Sequence, residues 1–257
     1  MKKFNVGLQL YGVRGAMAND FEGTLRAVKE MGYDFVQFSG APYSLEKVKK
    51  GIELTGLPIY LTHFSYDKIV NEIDSLMDDH DAFGCKNIGL GCPTLEMIID
   101  EEKFKAGIQK LNEVAKYIEK RGFKFFYHNH DFEFQKMKDG RTFFDYIIEE
   151  APNINFTLDT YWLQLGGVNI LEYIEKTKGR IDCIHLKDVK LCWSEEDKMM
   201  DRVFACLGEG NLNFNEIIAK AKECGAKHFI VEQDNASYLE NPFNEVKKSV
   251  DYIKNNY

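Results

Sequence analysis

The stretch FKAGIQKLNEVAKYIEKRGFKFFYHNH, at residues 104–130, decides the fold, because it contains a helix, a turn and a strand in that order. Apolar residues recur every three or four positions from 104 to 118, which predicts an amphipathic helix. Gly122 interrupts the pattern, and the aromatic run that follows predicts a buried strand ending near His128. One repeat of a strand-and-helix fold is therefore present within 27 residues.

This order of helix and strand recurs along the chain. Eight strand-like runs are present, and segments with helical spacing separate them. The runs are FNVGLQL at 4–10, YDFVQF at 33–38, LPIYLTHF at 57–64, KNIGLG at 86–91, FKFFYHNH at 123–130, INFTLD at 154–159, IDCIHLK at 181–187 and KHFIVEQ at 227–233. Regular alternation of this kind indicates parallel strands joined by right-handed crossovers.

The turns between helix and strand carry a second signal. Six of the seven such junctions contain a glycine after the helix, and the seventh has Pro152. The glycines are Gly32, Gly56, Gly84, Gly122, Gly179 and Gly225. Glycine at this position is typical of a left-handed helix C-cap, which a residue with a Cβ resists.

Eight strand–helix units in 257 residues predict an α/β fold, a closed (β/α)8 TIM barrel in a single domain over residues 1–257. A doubly wound open sheet is the alternative, but no GxGxxG turn follows the first strand. The longest segment without clear periodicity is 188–213, after the seventh strand. We expect it to be a long loop at the active-site end of the barrel.

Composition excludes several classes of protein. The net charge of −8 disfavours binding to nucleic acid, and no apolar run approaches the length of a membrane span. None of the six cysteines forms a CxxC pair, which favours reduced cysteines and a cytoplasmic location. The oligomeric state is open, and a homo-oligomer is possible for such a barrel.

Polar side chains stand at the ends of the last four strands, where a barrel strand is otherwise apolar. The fifth strand ends in His128-Asn129-His130, with Glu133 beyond it, and the sixth ends in Asp159. The seventh ends in His185-Leu186-Lys187-Asp188, and the eighth in Glu232-Gln233-Asp234. Adjacent barrel strands lie about 4.8 Å apart, so these side chains should converge on one volume.

Converging carboxylates and imidazoles are ligands for a divalent cation. Histidine together with Asp and Glu suits Mn, Co, Zn, Fe or Mg ions, and geometry alone would choose among them. A metal-free hydrogen-bond network that closes the barrel mouth is the alternative left open by strand position. The catalytic groups of such barrels sit at this end of the strands, which favours a site here.

At these residues the sequence resembles the xylose-isomerase-like TIM barrel superfamily, in the branch of sugar phosphate isomerases/epimerases. The matching stretches are GLQLYGVR at 7–14, THFSYD at 62–67, FYHNHDFEF at 126–134, LDTYWLQLGG at 158–167, IHLKDVK at 184–190, LGEGNLNF at 207–214 and VEQD at 231–234. The resemblance implies a metal held by the fifth to eighth strands. Carried over by position, the last three ligands are Asp159, His185 and Glu232.

The fifth-strand ligand departs from many relatives, which have a glutamate at that strand end. Here the strand reaches His128 instead. We expect either that His128 is the fourth metal ligand or that Glu133 reaches back to the ion, with a slight preference for His128. The loss of that glutamate weakens the case for a plain epimerase mechanism.

Other residues are candidates for substrate binding or catalysis. His63 at the third strand end and Trp162 near Asp159 are expected to contact a sugar, and so are Gln9 and Arg14 at the first strand end. His63 is equally compatible with a structural role, Trp162 with core packing, and Gln9 and Arg14 with capping a loop.

Lys187 is expected either to stabilise a developing enediolate or a substrate phosphate, or to form a buried ion pair with Asp188. Gly208-Glu209-Gly210 is compatible with a phosphate cradle, although two glycines are better explained by a tight turn.

The function predicted is a metal-dependent isomerase or epimerase of a small-molecule sugar or sugar phosphate. Glu232, or Glu133 if it does not bind metal, removes the proton next to a carbonyl. The runner-up is a keto-sugar or inosose dehydratase or lyase, with His128 or His130 as the acid. Two further classes are a DNA-repair apurinic-site endonuclease, disfavoured by Trp162 and the few histidines, and a sugar-binding protein without catalysis.

Overall fold

In a computed structural model, which describes residues 5–40 and 43–257, eight parallel strands close into a barrel in the order β1-β10-β7-β6-β5-β4-β3-β2. The strands are β1 (Asn5–Gln9), β2 (Phe35–Phe38), β3 (Ile59–Phe64), β4 (Asn87–Leu90), β5 (Lys124–His128), β6 (Asn155–Asp159), β7 (Ile181–Leu186) and β10 (His228–Val231). The predicted TIM barrel is therefore confirmed, although Phe4 of the first predicted strand lies outside the described residues.

The described helices pack around the outside of the barrel. They are α1 (Arg14–Asn19), α2 (Phe21–Glu30), α3 (Leu45–Thr55), α4 (Tyr66–Asn71), α5 (Ile73–Phe83), α6 (Leu95–Ile99), α7 (Glu101–Glu119), α8 (Phe143–Glu150), α9 (Thr160–Leu165), α10 (Ile170–Lys176), α11 (Phe214–Cys224) and α12 (Pro242–Asn256). Helix α3 illustrates the predicted junctions: Ser44 caps its first turn, and Gly56 ends it with φ of 65°. All six predicted junction glycines have positive φ.

Two apolar layers build the core. Side chains that point out of the strands pack under the helices, as Phe125 and Tyr127 of β5 do. Their neighbours point into the barrel, where Phe126 packs with Cys183 and Ile230 of other strands. Because side chains alternate along a strand, the next inward position of each strand lies one layer closer to the carboxyl end.

That next layer is polar. Its members are Gln9, Gln37, His63, His128, Asp159, His185 and Glu232. The pairing register fixes their relative heights: Asp159 lies opposite His185, and Gln9 lies opposite Gln37. The barrel therefore brings together side chains that are up to 223 residues apart in sequence.

The segment 188–213 is not an irregular loop, and our expectation of one is wrong. Most of it is an antiparallel hairpin of β8 (Asp188–Ser194) and β9 (Met199–Ala205), paired from Asp188 with Ala205 to Ser194 with Met199. A two-stranded ribbon in which half of the residues are exposed, and in which polar and apolar residues are mixed, lacks the buried-strand pattern that identifies the barrel strands.

In the described parts of the chain, no helix has the length and apolar character needed to cross a bilayer.

Candidate metal centre

Four side chains from four consecutive barrel strands meet at the carboxyl end of the barrel. His128, Asp159, His185 and Glu232 each offer a ligand atom, and these atoms all lie within 4.8 Å of one another. All four residues are buried. The sequence predicted this set, and the structure brings these four residues together.

Asp159 ends β6 and also caps the helix that follows it. Its Oδ1 accepts hydrogen bonds from the backbone N–H groups of Tyr161 at 2.9 Å and Trp162 at 3.1 Å. Its Oδ2 is left to face the cluster, 3.3 Å from Lys187 Nζ. Burial opposes ionisation of this carboxyl, but Lys187 and the neighbouring histidines outweigh burial and lower its pKa below the usual value.

His185 is oriented by a residue from the opposite side of the barrel. Its Nε2 lies 2.7 Å from Oε1 of Gln37, so that Nε2 carries the proton and donates it to the amide oxygen. Nδ1 then faces Glu232 Oε2 at 2.7 Å. Burial disfavours the imidazolium, but Glu232 and Asp159 outweigh it and raise the pKa of His185 to about 9 without a metal.

His128 is oriented in a similar way. Its Nδ1 points at the carbonyl of Gly91 at 3.4 Å, and its Nε2 lies 3.4 Å from Asp159 Oδ2. Metal-binding histidines almost always use the second ring nitrogen on a carbonyl, carboxylate or water. Both histidines therefore present one nitrogen to the cluster and one to an acceptor behind it.

The donor set fits a divalent ion. His185 Nδ1 and Glu232 Oε2 are both buried, and neither makes a hydrogen bond of normal geometry despite their 2.7 Å separation. Two nitrogens and two carboxylate oxygens are ligands that Zn, Mn, Fe and Co ions accept. An ion among them would satisfy both orphaned atoms.

A cavity of about 380 Å³ opens onto this cluster. It is lined by Gln9, Tyr11, Ser39, His63, Phe64, Ser65, Gly91, Cys92, His128, His130, Lys187, Glu232 and Asp234. Its size and its mixture of polar and apolar walls suit a small polyhydroxylated molecule. Of the predicted substrate residues, Gln9 and His63 lie on its wall.

His63 and His130 contribute neutral imidazoles to the cavity. Burial is the main reason that the pKa of His130 falls to about 3 and that the pKa of His63 falls well below its usual value. His63 Nε2 and His130 Nδ1 are both buried without a hydrogen-bond partner. Two unpaired ring nitrogens on a cavity wall are positioned to bind hydroxyl groups of a ligand.

Glu133 lies away from the cluster. Its Oε1 accepts the Tyr127 hydroxyl at 2.9 Å, and its Oε2 accepts the backbone N–H of His130 at 2.8 Å. Burial raises the pKa of Glu133 to about 8. The Glu133 side chain therefore fixes the loop that carries His130, and the fourth ligand atom in the cluster comes from His128.

Trp162 and Arg14 do not line the cavity. The ring of Trp162 lies 5.0 Å from Lys187 Nζ, where it makes a cation–π contact. Arg14 Nη1 donates to the carbonyls of Tyr11 at 2.7 Å and Asp234 at 3.0 Å. Arg14 therefore joins the loops after the first and last barrel strands.

Lys187 does not form the ion pair with Asp188 that we considered. Its ion pairs among the described residues are to Asp159, Glu232 and Asp234. Asp188 instead points to the turn at Gly208-Glu209-Gly210 and accepts the backbone N–H groups of Gly208, Gly210, Leu212 and Val189. The donors that a phosphate would use are thus occupied by a carboxylate of the same chain.

The sequence analysis missed Gln37, and it placed Asp234 at the eighth strand end without giving it a role. Gln37 orients His185, and Asp234 makes the shortest contact with Lys187, at 2.8 Å. The signal for Gln37 was a polar residue inside the apolar run YDFVQF, and Asp234 belongs to the quoted VEQD stretch. Neither signal identifies a partner, because the partners come from distant strands.

Comparison with known proteins assigns the chain to a family. A sequence model described as xylose isomerase-like TIM barrel matches residues 25–256. A curated relative, an inosose dehydratase of Clostridium perfringens, is 23% identical over 250 residues, covering 83% of this chain and 82% of its own.

Solved structures show the same fold. A sugar phosphate isomerase/epimerase from Parabacteroides distasonis superimposes with a TM-score of 0.80 at 21% identity, covering 99% of this chain and 94% of its own. A xylose isomerase-like TIM barrel protein from Mycobacterium smegmatis, in complex with magnesium, gives 0.71 at 16% identity, covering 98% and 95%. With the family model matched from the second helix to the last, this chain belongs to the xylose isomerase-like TIM barrel family.

Proposed function

We propose that this protein is a metal-dependent dehydratase, which removes a proton next to the carbonyl of a small keto-polyol and expels water from the adjacent carbon. The observation that carries the proposal is the buried set His128, Asp159, His185 and Glu232, with ligand atoms within 4.8 Å of one another beside a polar cavity. The curated relative named inosose dehydratase supports this class of reaction.

The four clustered residues would hold the ion. A divalent cation there supplies Lewis acidity, which polarises a carbonyl oxygen and acidifies the adjacent C–H bond. The magnesium complex of the Mycobacterium smegmatis protein supports a metal in a barrel of this kind. Gln37 and the Gly91 carbonyl each contact one ring nitrogen of these histidines, which leaves the other nitrogen of each to hold such an ion.

The substrate we propose is uncharged. Unpaired nitrogens of His63 and His130, together with Gln9, line the cavity and suit hydroxyl groups. Glu232 and Asp234 on the same wall repel a phosphate, and the Lys187 ammonium already pairs with carboxylates. This departs from the sugar phosphate that we included among the substrates expected from the sequence.

Glu232 is the proposed base, because it reaches the cavity and because a base must be in its ionised form to accept a proton. Burial raises the pKa of Glu232, and Lys187 and His185 outweigh burial, so that the carboxylate is ionised near neutral pH. The electron pair of the broken C–H bond forms a carbon–carbon double bond. The hydroxyl leaves the next carbon, takes up the proton and becomes water.

Lys187 stabilises the charge that develops on oxygen during this step. Its ammonium is buried, and its surrounding carboxylates keep it protonated. Burial lowers the pKa of this amine, but Asp159 and Glu232 outweigh burial and raise it above the usual value. A fixed, buried positive charge is an effective way to stabilise a developing oxyanion.

Elimination is preferred over epimerisation because of Glu133. An epimerase that works from both faces of its substrate needs a second acid–base group, and Glu133 is held by Tyr127 and the backbone of His130. Isomerisation or epimerisation remains the second candidate. It is favoured by the similarity to the Parabacteroides distasonis sugar phosphate isomerase/epimerase.

The test incubates purified protein with Mn²⁺ and a panel of keto-polyols in heavy water. We expect a product lighter than the substrate by one water, and we expect Glu232→Gln to abolish it, while Glu240→Gln, at an exposed position, leaves it unchanged. Deuterium at the α-carbon without loss of water would instead establish the isomerase or epimerase. Neither product with any member of the panel would contradict the proposed function.

A further inference from the structure

We propose that Lys187 is a built-in counter-cation of the metal centre, and that Asp234 is the positioning residue that holds the Lys187 ammonium once a divalent ion is bound. The inference rests on the metal site of the proposed function. It assigns a role to Asp234, which lies outside the four ligands.

The Lys187 ammonium touches the ligand oxygens themselves. Nζ lies 3.3 Å from Asp159 Oδ2 and 3.4 Å from Glu232 Oε2, and the side chain is 1% exposed. Oδ2 is the oxygen that Asp159 presents to the cluster, since Oδ1 caps the following helix. An ion and an ammonium that use the same oxygens repel each other and compete for them.

A metal-free centre needs such a cation. Asp159 and Glu232 are both buried, and two carboxylates this close to each other are costly without a compensating charge. The lysine supplies that charge from within the chain. The aromatic rings of Trp162, Phe204 and Tyr161, at 5.0, 5.4 and 5.9 Å from Nζ, further stabilise a cation at this place.

Asp234 offers the ammonium a second partner. Its Oδ2 lies 2.8 Å from Nζ, the shortest of the three ion-pair distances, and its side chain is 23% exposed at the cavity. When an ion takes Asp159 and Glu232, Asp234 is the carboxylate that remains for Lys187. The ammonium then stays on the cavity wall, where a substrate oxygen can reach it.

The experiment is a calorimetric titration of the metal-stripped, full-length protein with Mn²⁺, without substrate. Lys187→Met should bind Mn²⁺ about tenfold more tightly or better, since no ammonium has to leave the carboxylates. Asp234→Asn should bind it about tenfold more weakly, because the ammonium loses its other partner. Lys190→Met, which neutralises an exposed lysine of β8, should change little.

A double-mutant cycle separates this role from simple addition of charges. If Asp234 acts through Lys187, Asp234→Asn should have little effect in the Lys187→Met background, and Asp234→Glu should restore the affinity lost by Asp234→Asn in the native background. A direct electrostatic effect of Asp234 on the ion would persist in both backgrounds. Circular dichroism checks that each variant is folded, and Lys187→Gln replaces Lys187→Met if the latter is not.

Each outcome decides the question. Tighter Mn²⁺ binding by the lysine variant, together with a coupled Asp234 effect, supports the inference. Equal or weaker binding by the lysine variant, or an Asp234→Asn effect of the same size in both backgrounds, overturns it while the metal site stands. No Mn²⁺ binding by the native protein overturns the metal site and this inference with it.

Discussion

Replacing Gln37 by methionine tests the idea that this amide orients a metal ligand. Gln37 is fully buried on β2, and its Oε1 accepts the Nε2–H of His185 at 2.7 Å. Methionine keeps the length of the side chain and removes the acceptor. His185 is then left with a buried N–H that has lost its partner and with a ring free to rotate or change tautomer.

The magnitude follows from two effects. An unsatisfied buried donor costs about 1–3 kcal/mol of stability. Loss of the hydrogen-bond partner of a metal-binding histidine weakens metal affinity by about 10–100-fold, which corresponds to about 1.4–2.8 kcal/mol. In a domain of this size, each kcal/mol lowers Tm by about 2–4 °C.

The assays are thermal unfolding of the metal-free protein and calorimetric titration with Zn²⁺ or Mn²⁺. We expect Gln37→Met to reduce both Tm and metal affinity, and Gln109→Met to reduce neither by a comparable amount, because Gln109 lies exposed on the outer helix α7. Unchanged metal affinity in a folded Gln37→Met protein would refute the assigned role of the amide. A lower Tm alone would show only that the hydrogen bond stabilises the fold.

Three further predictions concern other parts of the barrel. The pKa of Glu133, raised to about 8 by burial, means that its contribution to stability is complete below about pH 4.5 and is lost as pH rises through about 8. Between pH 6 and pH 9, urea unfolding should therefore show a smaller loss of unfolding free energy for Glu133→Gln than for the native protein. An equal loss in the two proteins would contradict this. Asp188→Asn removes one of the two oxygens that accept four backbone N–H groups. We therefore expect the free energy of unfolding to fall by about 1–3 kcal/mol and proteolysis within 188–213 to become faster. An unchanged cleavage rate would argue against the role of Asp188. Gly56→Ala places a Cβ at φ of 65° in open space, and chemical denaturation should reveal a cost of about 1–2 kcal/mol from backbone strain alone.

The architecture was readable from local patterns. Helical spacing in α7, the apolar run of β5 and the glycine between them are properties of neighbouring residues, and the same three signals recur along the chain. Since parallel strands with short capped returns close in few ways, repetition of a local unit sufficed to predict the barrel. The hairpin after β7 was not predicted, because its two strands contain no continuous apolar run.

The site was predictable in its members but not in their partners. Polar residues at the ends of apolar strands pointed to Asp159, His185, Glu232 and His128, since a barrel gathers its strand ends at one mouth. The choice between His128 and Glu133 depended on which side chain points inward. That choice was made by the pleat of β5, and by Tyr127 and a backbone N–H that hold Glu133 elsewhere.

By itself, then, the sequence determined the strand–helix repeat, the barrel and the ring of titratable residues at its mouth, because these follow from periodicity and strand order. Three contacts were decided only by the tertiary structure. Gln37 accepts a hydrogen bond from His185, Lys187 pairs with Asp234 instead of Asp188, and Asp188 accepts hydrogen bonds from the glycine turn. The reason is that each of these contacts depends on strand register and on a side-chain direction. Neither quantity is encoded in the spacing of residues along the chain.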